Sequence, residues 1–202
     1  MTHRDTPSRA PHPQDLALQR FGATLRAYRQ QRGLTQRALA VRTGIRNRYI
    51  SDIERGRHNI SVVMLLRLAQ ALDIPAAWLL VGLDTYPPMP PPLASDPSSA
   101  HRGQEAAVIQ DTTAALQRGD AATLLHGLGA TLRQYRQHQG LTQKALAAST
   151  GLNPTYIGQI EQGHRNLSVL SLVRLAAALG LVVAHLLTPV EPRRSPSSSL
   201  PE

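Results

Sequence analysis

Apolar residues recur in this chain at three- and four-residue steps, in blocks separated by Gly, Ser, Thr and Pro. Leu18, Phe21, Leu25 and Tyr28 fall on one face of a helix expected from about Leu16 to Gln31. Gly33 stands where that pattern stops, and Thr35 is a good N-cap for a short second helix through Arg42. A third helix is expected from about Asn47 to Arg55, ended by Gly56, and Ser61 caps a fourth, VVMLLRLAQAL. Pro75 suits the first turn of a fifth, where its missing N–H costs nothing. Nothing alternates with period two, so the reading is all-α.

The pattern then repeats. A constant offset of 107 aligns residues 21–82 with 128–189 over 62 positions without a gap, with 34 identities. Leu125, Leu128, Leu132 and Tyr135 form the matching first face, and Gly140, Thr142, Gly151, Gly163 and Ser168 the matching punctuation. Two copies of roughly 60 residues, each near the lower limit for a core of its own, indicate a duplicated domain. The expected division is a disordered tail at 1–13, a first domain at 14–82, a Pro/Ser-rich linker at 83–104, a connecting helix at 105–119, a second domain at 120–189 and a second disordered tail at 190–202.

Helices two and three hold the informative spacing. Ala40 lies four residues after Gln36, Gly44 eight after it and Ile50 fourteen after it; Gln143, Ala147, Gly151 and Ile157 repeat the set. Ala40 must be small where helix three crosses, Gly44 permits the positive φ of a tight turn, and Ile50 packs inward. This is the spacing of a helix-turn-helix. The segments GLTQRALAVRTGIRNRYISDIERGRHNIS and GLTQKALAASTGLNPTYIGQIEQGHRNLS each resemble the Cro/phage-repressor (XRE-type) helix-turn-helix family. The resemblance implies two tandem five-helix repressor-like domains, each with helix three in the major groove of DNA. Carried over position by position, it implies base reading by Arg46, Asn47, Arg48 and Asp52, and by Asn153, Thr155 and Gln159. It implies phosphate contacts from Gln36 and Gln143 at helix N-termini, and an internal ion pair of Arg29 with Glu54 and Arg136 with Glu161. Arg37, Arg55, Arg57, Lys144 and Arg165 are the further phosphate candidates around these helices.

Charge sharpens the contrast between copies. Lys and Arg number 22 against 13 Asp and Glu, a net charge of +9. Residues 21–82 carry ten basic and three acidic groups and residues 128–189 five and one, so the copies hold +7 and +4 and the rest of the chain −2. Where the first copy has Arg46, Arg48, Arg55 and Arg57, the second has Asn153, Thr155, Gln162 and His164, and Pro154 offers no side-chain donor. The first copy is therefore expected to supply most of the affinity for a polyanion.

The remaining composition removes other classes. With no Cys there is no disulfide framework, zinc finger or thiol catalysis. Few aromatics argue against reading of single strands by base stacking. No signal peptide, membrane span, metal-type His spacing, catalytic triad, paired carboxylate or phosphate loop is evident, so the expectation is a cytoplasmic, nucleoid-associated, cofactor-free, non-enzymatic regulator of double-stranded DNA without a small-molecule site. His126 and His185 are expected to be partly buried, Tyr28 and Tyr135 to be core, Tyr49 and Tyr156 to be candidates for backbone phosphate, and Trp78 to be core or a dimer face. The chain would act as a homodimer or as a covalent pseudo-dimer spanning two half-sites. Two rivals stay open: a protein-interaction module such as a toxin-neutralising partner, and a nonspecific nucleic-acid binder.

Overall fold

A computed structural model describes residues 12–83 and 120–187. The expected linker beyond Leu83, the connecting helix and nearly all of the two tails lie outside the described residues. Ten helices occur among the described residues: α1 (Pro13–Gln31), α2 (Gln36–Thr43), α3 (Asn47–Glu54), α4 (Val62–Leu72) and α5 (Ala76–Leu79), then α6 (Asp120–His138), α7 (Gln143–Thr150), α8 (Pro154–Glu161), α9 (Val169–Ala178) and α10 (Val183–Leu187). The protein is all-α, with two tandem helix-turn-helix domains.

Local chemistry sets most of these boundaries. Thr35, Ser61, Thr142 and Ser168 each accept a hydrogen bond from the backbone N–H three residues on, fixing the starts of α2, α4, α7 and α9. Helix α1 begins at Pro13, before its apolar face, because a proline start is a property of the backbone rather than of the packed stripe. Pro75 precedes α5 in an extended conformation (ψ 136°) instead of occupying its first turn.

Phe21, Leu25, Leu39, Ile50, Ile53, Leu65 and Leu68 fill the first domain, and Leu128, Leu132, Leu146, Ile157, Ile160, Leu172 and Leu175 the second. The two sets belong to one continuous apolar cluster. Continuity is made at α4 against α9 and α5 against α10.

The join is reciprocal. Val62 N–H donates to the Leu167 carbonyl (2.9 Å) and Val169 N–H to the Ile60 carbonyl (2.8 Å), an isolated antiparallel bridge centred on Ser61 and Ser168. Val63 N–H donates to Asn166 Oδ1 (3.3 Å) and Leu170 N–H to Asn59 Oδ1 (3.2 Å). Adding 107 to one member of each pair gives its counterpart, so the halves are related by a pseudo-twofold axis. The donors are the first two N–H groups of α4 and α9, which no intrahelical acceptor can reach. Ser61 and Ser168 cap the third of each helix, and the fourth bonds to the carbonyl of the same serine. Each helix start is thus completed by the opposite half.

Replacing both Asn59 and Asn166 by Ala leaves two of these N–H groups without an acceptor. The full-length double variant should lose about 1–3 kcal/mol per site, read from urea unfolding. The exposed Asn47→Ala should leave the midpoint nearly unchanged.

Candidate nucleic-acid interface

Helices α2 and α3 meet across Leu39, Ala40 and Thr43 on one side and Ile50 and Ile53 on the other, all buried. Gly44 ends α2 at φ 68°, a left-handed conformation that lets Ile45 N–H reach back to the Ala40 carbonyl (3.0 Å) and turns the chain into α3. Helix α1 locks the far end of α3. A Cβ added to Gly22 would lie 2.5 Å from the Ile53 carbonyl oxygen and 2.7 Å from that of Glu54. The position admits only hydrogen, which explains a helix-interior glycine that would otherwise be destabilising.

A buried polar network completes the frame. Glu54, the last residue of α3, accepts from Arg29 Nε (2.5 Å) and Nη2 (3.0 Å) and from Gln36 Nε2 (2.8 Å). Arg29 Nη1 donates to the Leu34 carbonyl (2.7 Å). Arg136, Glu161, Gln143 and Leu141 repeat the arrangement at 2.5, 3.0, 2.8 and 2.6 Å. The Arg29 and Glu54 side chains are 9% and 3% exposed, so this is a buried, hydrogen-bonded ion pair rather than a surface one. It raises the pKa of Arg29 and Arg136 through the carboxylate hydrogen bond, against the cost of burial. Burial pushes the Glu161 carboxyl up, but the hydrogen bonds from Arg136 and Gln143 and the charges of Arg136 and Arg133 outweigh it and hold the pKa below its ordinary value. Gln36 and Gln143, expected to meet phosphate, spend an amide hydrogen here. The reason is proximity: a buried carboxylate lies within hydrogen-bond reach of the first residue of α2 and of α7.

The expected base-reading residues divide into two groups. Arg46, Asn47 and Arg48 are exposed at the start of α3, with the Arg48 side chain 95% exposed. Arg46 occupies the N-cap position without forming a side-chain cap. Asp52 is different. Its side chain is 17% exposed and lies 3.5 Å from Arg57, 3.9 Å from His58 and 4.0 Å from both Arg48 and Arg55. In the second domain Asn153 Oδ1 accepts from Thr155 N–H (2.8 Å), capping α8. Thr155 is exposed, and Gln159 Oε1 accepts from Arg165 Nε (2.8 Å). Among the phosphate candidates, Arg37, Arg55, Arg57, Lys144 and Arg165 are exposed.

The structure also places the other side chains singled out in the sequence. His126 and His185 are exposed, not partly buried; His126 lies over Gly163, whose missing side chain leaves room for its ring. His126 faces His164 edge-on at 6.2 Å, and no group of three or more metal-ligating side chains occurs among the described residues. Tyr28 is half-buried and stacks on Trp78 (6.0 Å), which is 48% exposed. Tyr49 packs on the His58 ring at 4.8 Å. Burial raises the pKa of Tyr156 against the opposing pull of Arg165 and Ser171. No helix among the described residues is long and apolar enough to cross a membrane.

The family model described as Helix-turn-helix (HTH_3) matches residues 25–79 and again 132–182. The chain belongs to this family, the XRE-type DNA-binding transcription regulators, and carries its domain twice. It is 38% identical over 66 residues to an uncharacterized HTH-type transcriptional regulator, y4dJ, of Sinorhizobium fredii, covering 33% of this chain and 86% of that protein. It is 43% identical over 61 residues to the control protein C.SmaI of Serratia marcescens, covering 30% and 73%. Among solved structures, the restriction-modification controller protein C.AhdI from Aeromonas hydrophila is 44% identical, over 31% of this chain and 94% of that one, with a TM-score of 0.30. The family is one of regulators rather than enzymes.

The depressed Glu161 carboxyl gives a signed pH dependence. Its contribution to stability is complete above the pKa of an unfolded glutamate and is lost as pH falls through the lower folded value. Glu161→Gln should cost about 3–5 kcal/mol at neutral pH, because Arg136 keeps its burial and loses its counter-ion. Urea unfolding of both forms should show the gap closing as pH drops below about 4.

Proposed function

We propose that this chain is a sequence-specific binder of double-stranded DNA that acts as a covalent pseudo-dimer, presenting α3 and α8 to the major groove of two half-sites. The observation that carries the reading is the reciprocal clasp between Ile60–Val63 and Leu167–Leu170. It gives one polypeptide the twofold relation that helix-turn-helix dimers obtain from two chains.

In the first domain Arg46 and Arg48 are the candidates for guanine and Asn47 for adenine, while Arg37, Arg55 and Arg57 meet phosphate. In the second, Thr155 and the free amide hydrogens of Asn153 are the base-facing groups, with Lys144 and Arg165 on phosphate. Two features favour the first domain as the main source of affinity. Exposed guanidinia surround α3, whereas Pro154 opens α8 and the Asn153 carbonyl is spent on its cap. The operator should therefore be asymmetric, with a strongly specified half-site and a weaker one.

Selection of bound sequences from random duplex at a stated salt concentration tests the proposal. A two-part, unequal consensus bound by a single chain is the expected result, the stoichiometry being read by sedimentation. Absence of any enriched sequence would sink the reading. On the selected duplex, Arg46→Ala or Arg48→Ala should cost about 1–3 kcal/mol and relax one base position. Arg57→Ala should weaken every sequence and flatten the salt slope by about one unit.

A further inference from the structure

Asp52 lies within α3, on the helix that carries Arg46, Asn47 and Arg48, yet its surroundings are unlike theirs. Arg48, Arg55, Arg57 and His58 converge on its carboxylate at 3.5–4.0 Å. The guanidinia cover it from outside: their side chains are 95, 60 and 65% exposed while that of Asp52 is 17% exposed. A carboxylate in this position is screened from a cytosine amine by the cations around it. It offers a counter-charge to cations that stand between it and solvent. The distances exceed those of direct charge-assisted hydrogen bonds, about 2.7–2.9 Å. Each guanidinium is therefore held loosely and keeps donors free for an outside oxygen.

The second domain supplies an independent observation. The equivalent residue, Gln159, accepts from Arg165 Nε at 2.8 Å. In both domains the side chain at this position holds a cation from the loop after the recognition helix, once with a carboxylate and once with a neutral amide. The shared role is positioning, and the charge is peculiar to the first domain.

We propose that Asp52 is not a base reader but the counter-ion that positions the phosphate-facing arginines after α3, Arg55 and Arg57, and that it lowers affinity for duplex DNA of any sequence. A phosphate that recruits these guanidinia competes with Asp52 and meets its negative charge. The penalty falls on cognate and random duplex alike, so Asp52 sets absolute affinity and salt dependence and leaves base preference untouched. In a protein of net charge +9 this limits retention on non-cognate DNA.

The inference rests on duplex binding by the first domain, and its test separates the two. Full-length wild type, Asp52→Asn and Asp52→Gln are compared on random duplex and on the selected duplex across a salt series, with thermal melting as the folding control. Gln is the residue already accommodated at the equivalent position. Both variants should bind both duplexes about three- to tenfold more tightly at about 0.1 M salt, with a salt slope steeper by up to about one unit and an unchanged sequence profile. Relaxation of one base-pair position with random-duplex affinity unaltered would make Asp52 a base reader and overturn the proposal. Weaker binding to random duplex by both variants would overturn it as well. Failure of the wild type to enrich any sequence would remove the specific-binding reading while leaving the random-duplex comparison to decide the role of Asp52.

Discussion

The arrangement of the molecule depends on how the N-termini of α4 and α9 are satisfied. A helix leaves its first N–H groups without internal acceptors, and the capping serine, through its hydroxyl and its carbonyl, reaches only the third and fourth of them. Val62 and Val169 are 1% exposed, so water does not serve as the alternative partner. The opposite half provides what is missing: a backbone carbonyl for the first N–H and an asparagine side chain for the second. Separating the halves would uncover apolar surface and orphan these donors together. The clasp therefore couples the two cores and also fixes the pseudo-twofold relation of the two recognition helices.

Within each half the Arg–Glu–Gln network has a comparable role at shorter range. Glu54 ends α3, Arg29 closes α1 and Gln36 opens α2. A carboxylate buried with one guanidinium would contribute little net stability. With an amide added and the guanidinium also held by a backbone carbonyl, the charges are satisfied and the three helices have one mutual orientation. The network and the close approach at Gly22 act on the buried C-terminal end of α3, leaving its N-terminal turn free to carry Arg46, Asn47 and Arg48 outward.

Residue pattern alone exposes much of this architecture. Caps, turn glycines and apolar faces are local signals, so α2, α4 and their copies are legible to within a residue or two of their ends. The clasp is not, because its partners are more than a hundred residues apart and Asn59 and Asn166 read as ordinary loop residues. The surroundings of Asp52 and Gln36 are hidden for a related reason. A residue type tells what a side chain can bind, but which of several nearby groups reaches it first depends on distances set by packing. Asn153 offers the same lesson at short range, since a base-facing carboxamide next to a helix start is equally suited to capping that helix.

The distribution of differences between the two copies connects these observations. Asn59 and Asn166, Ser61 and Ser168, and every residue of the Arg–Glu–Gln network are identical in the two halves. A reciprocal clasp demands this, since each half is both donor and acceptor to the other. Positions 46, 47, 48, 52, 55, 57 and 58 differ from 153, 154, 155, 159, 162, 164 and 165 at every place. A homodimer cannot vary its reading surface without changing both half-sites at once, because one sequence encodes both subunits. Fusion removes that constraint: the shared interface stays self-complementary while each recognition helix carries its own side chains. The physical consequence of the duplication is thus an interface that remains symmetric beside two helices, α3 and α8, whose exposed side chains are not.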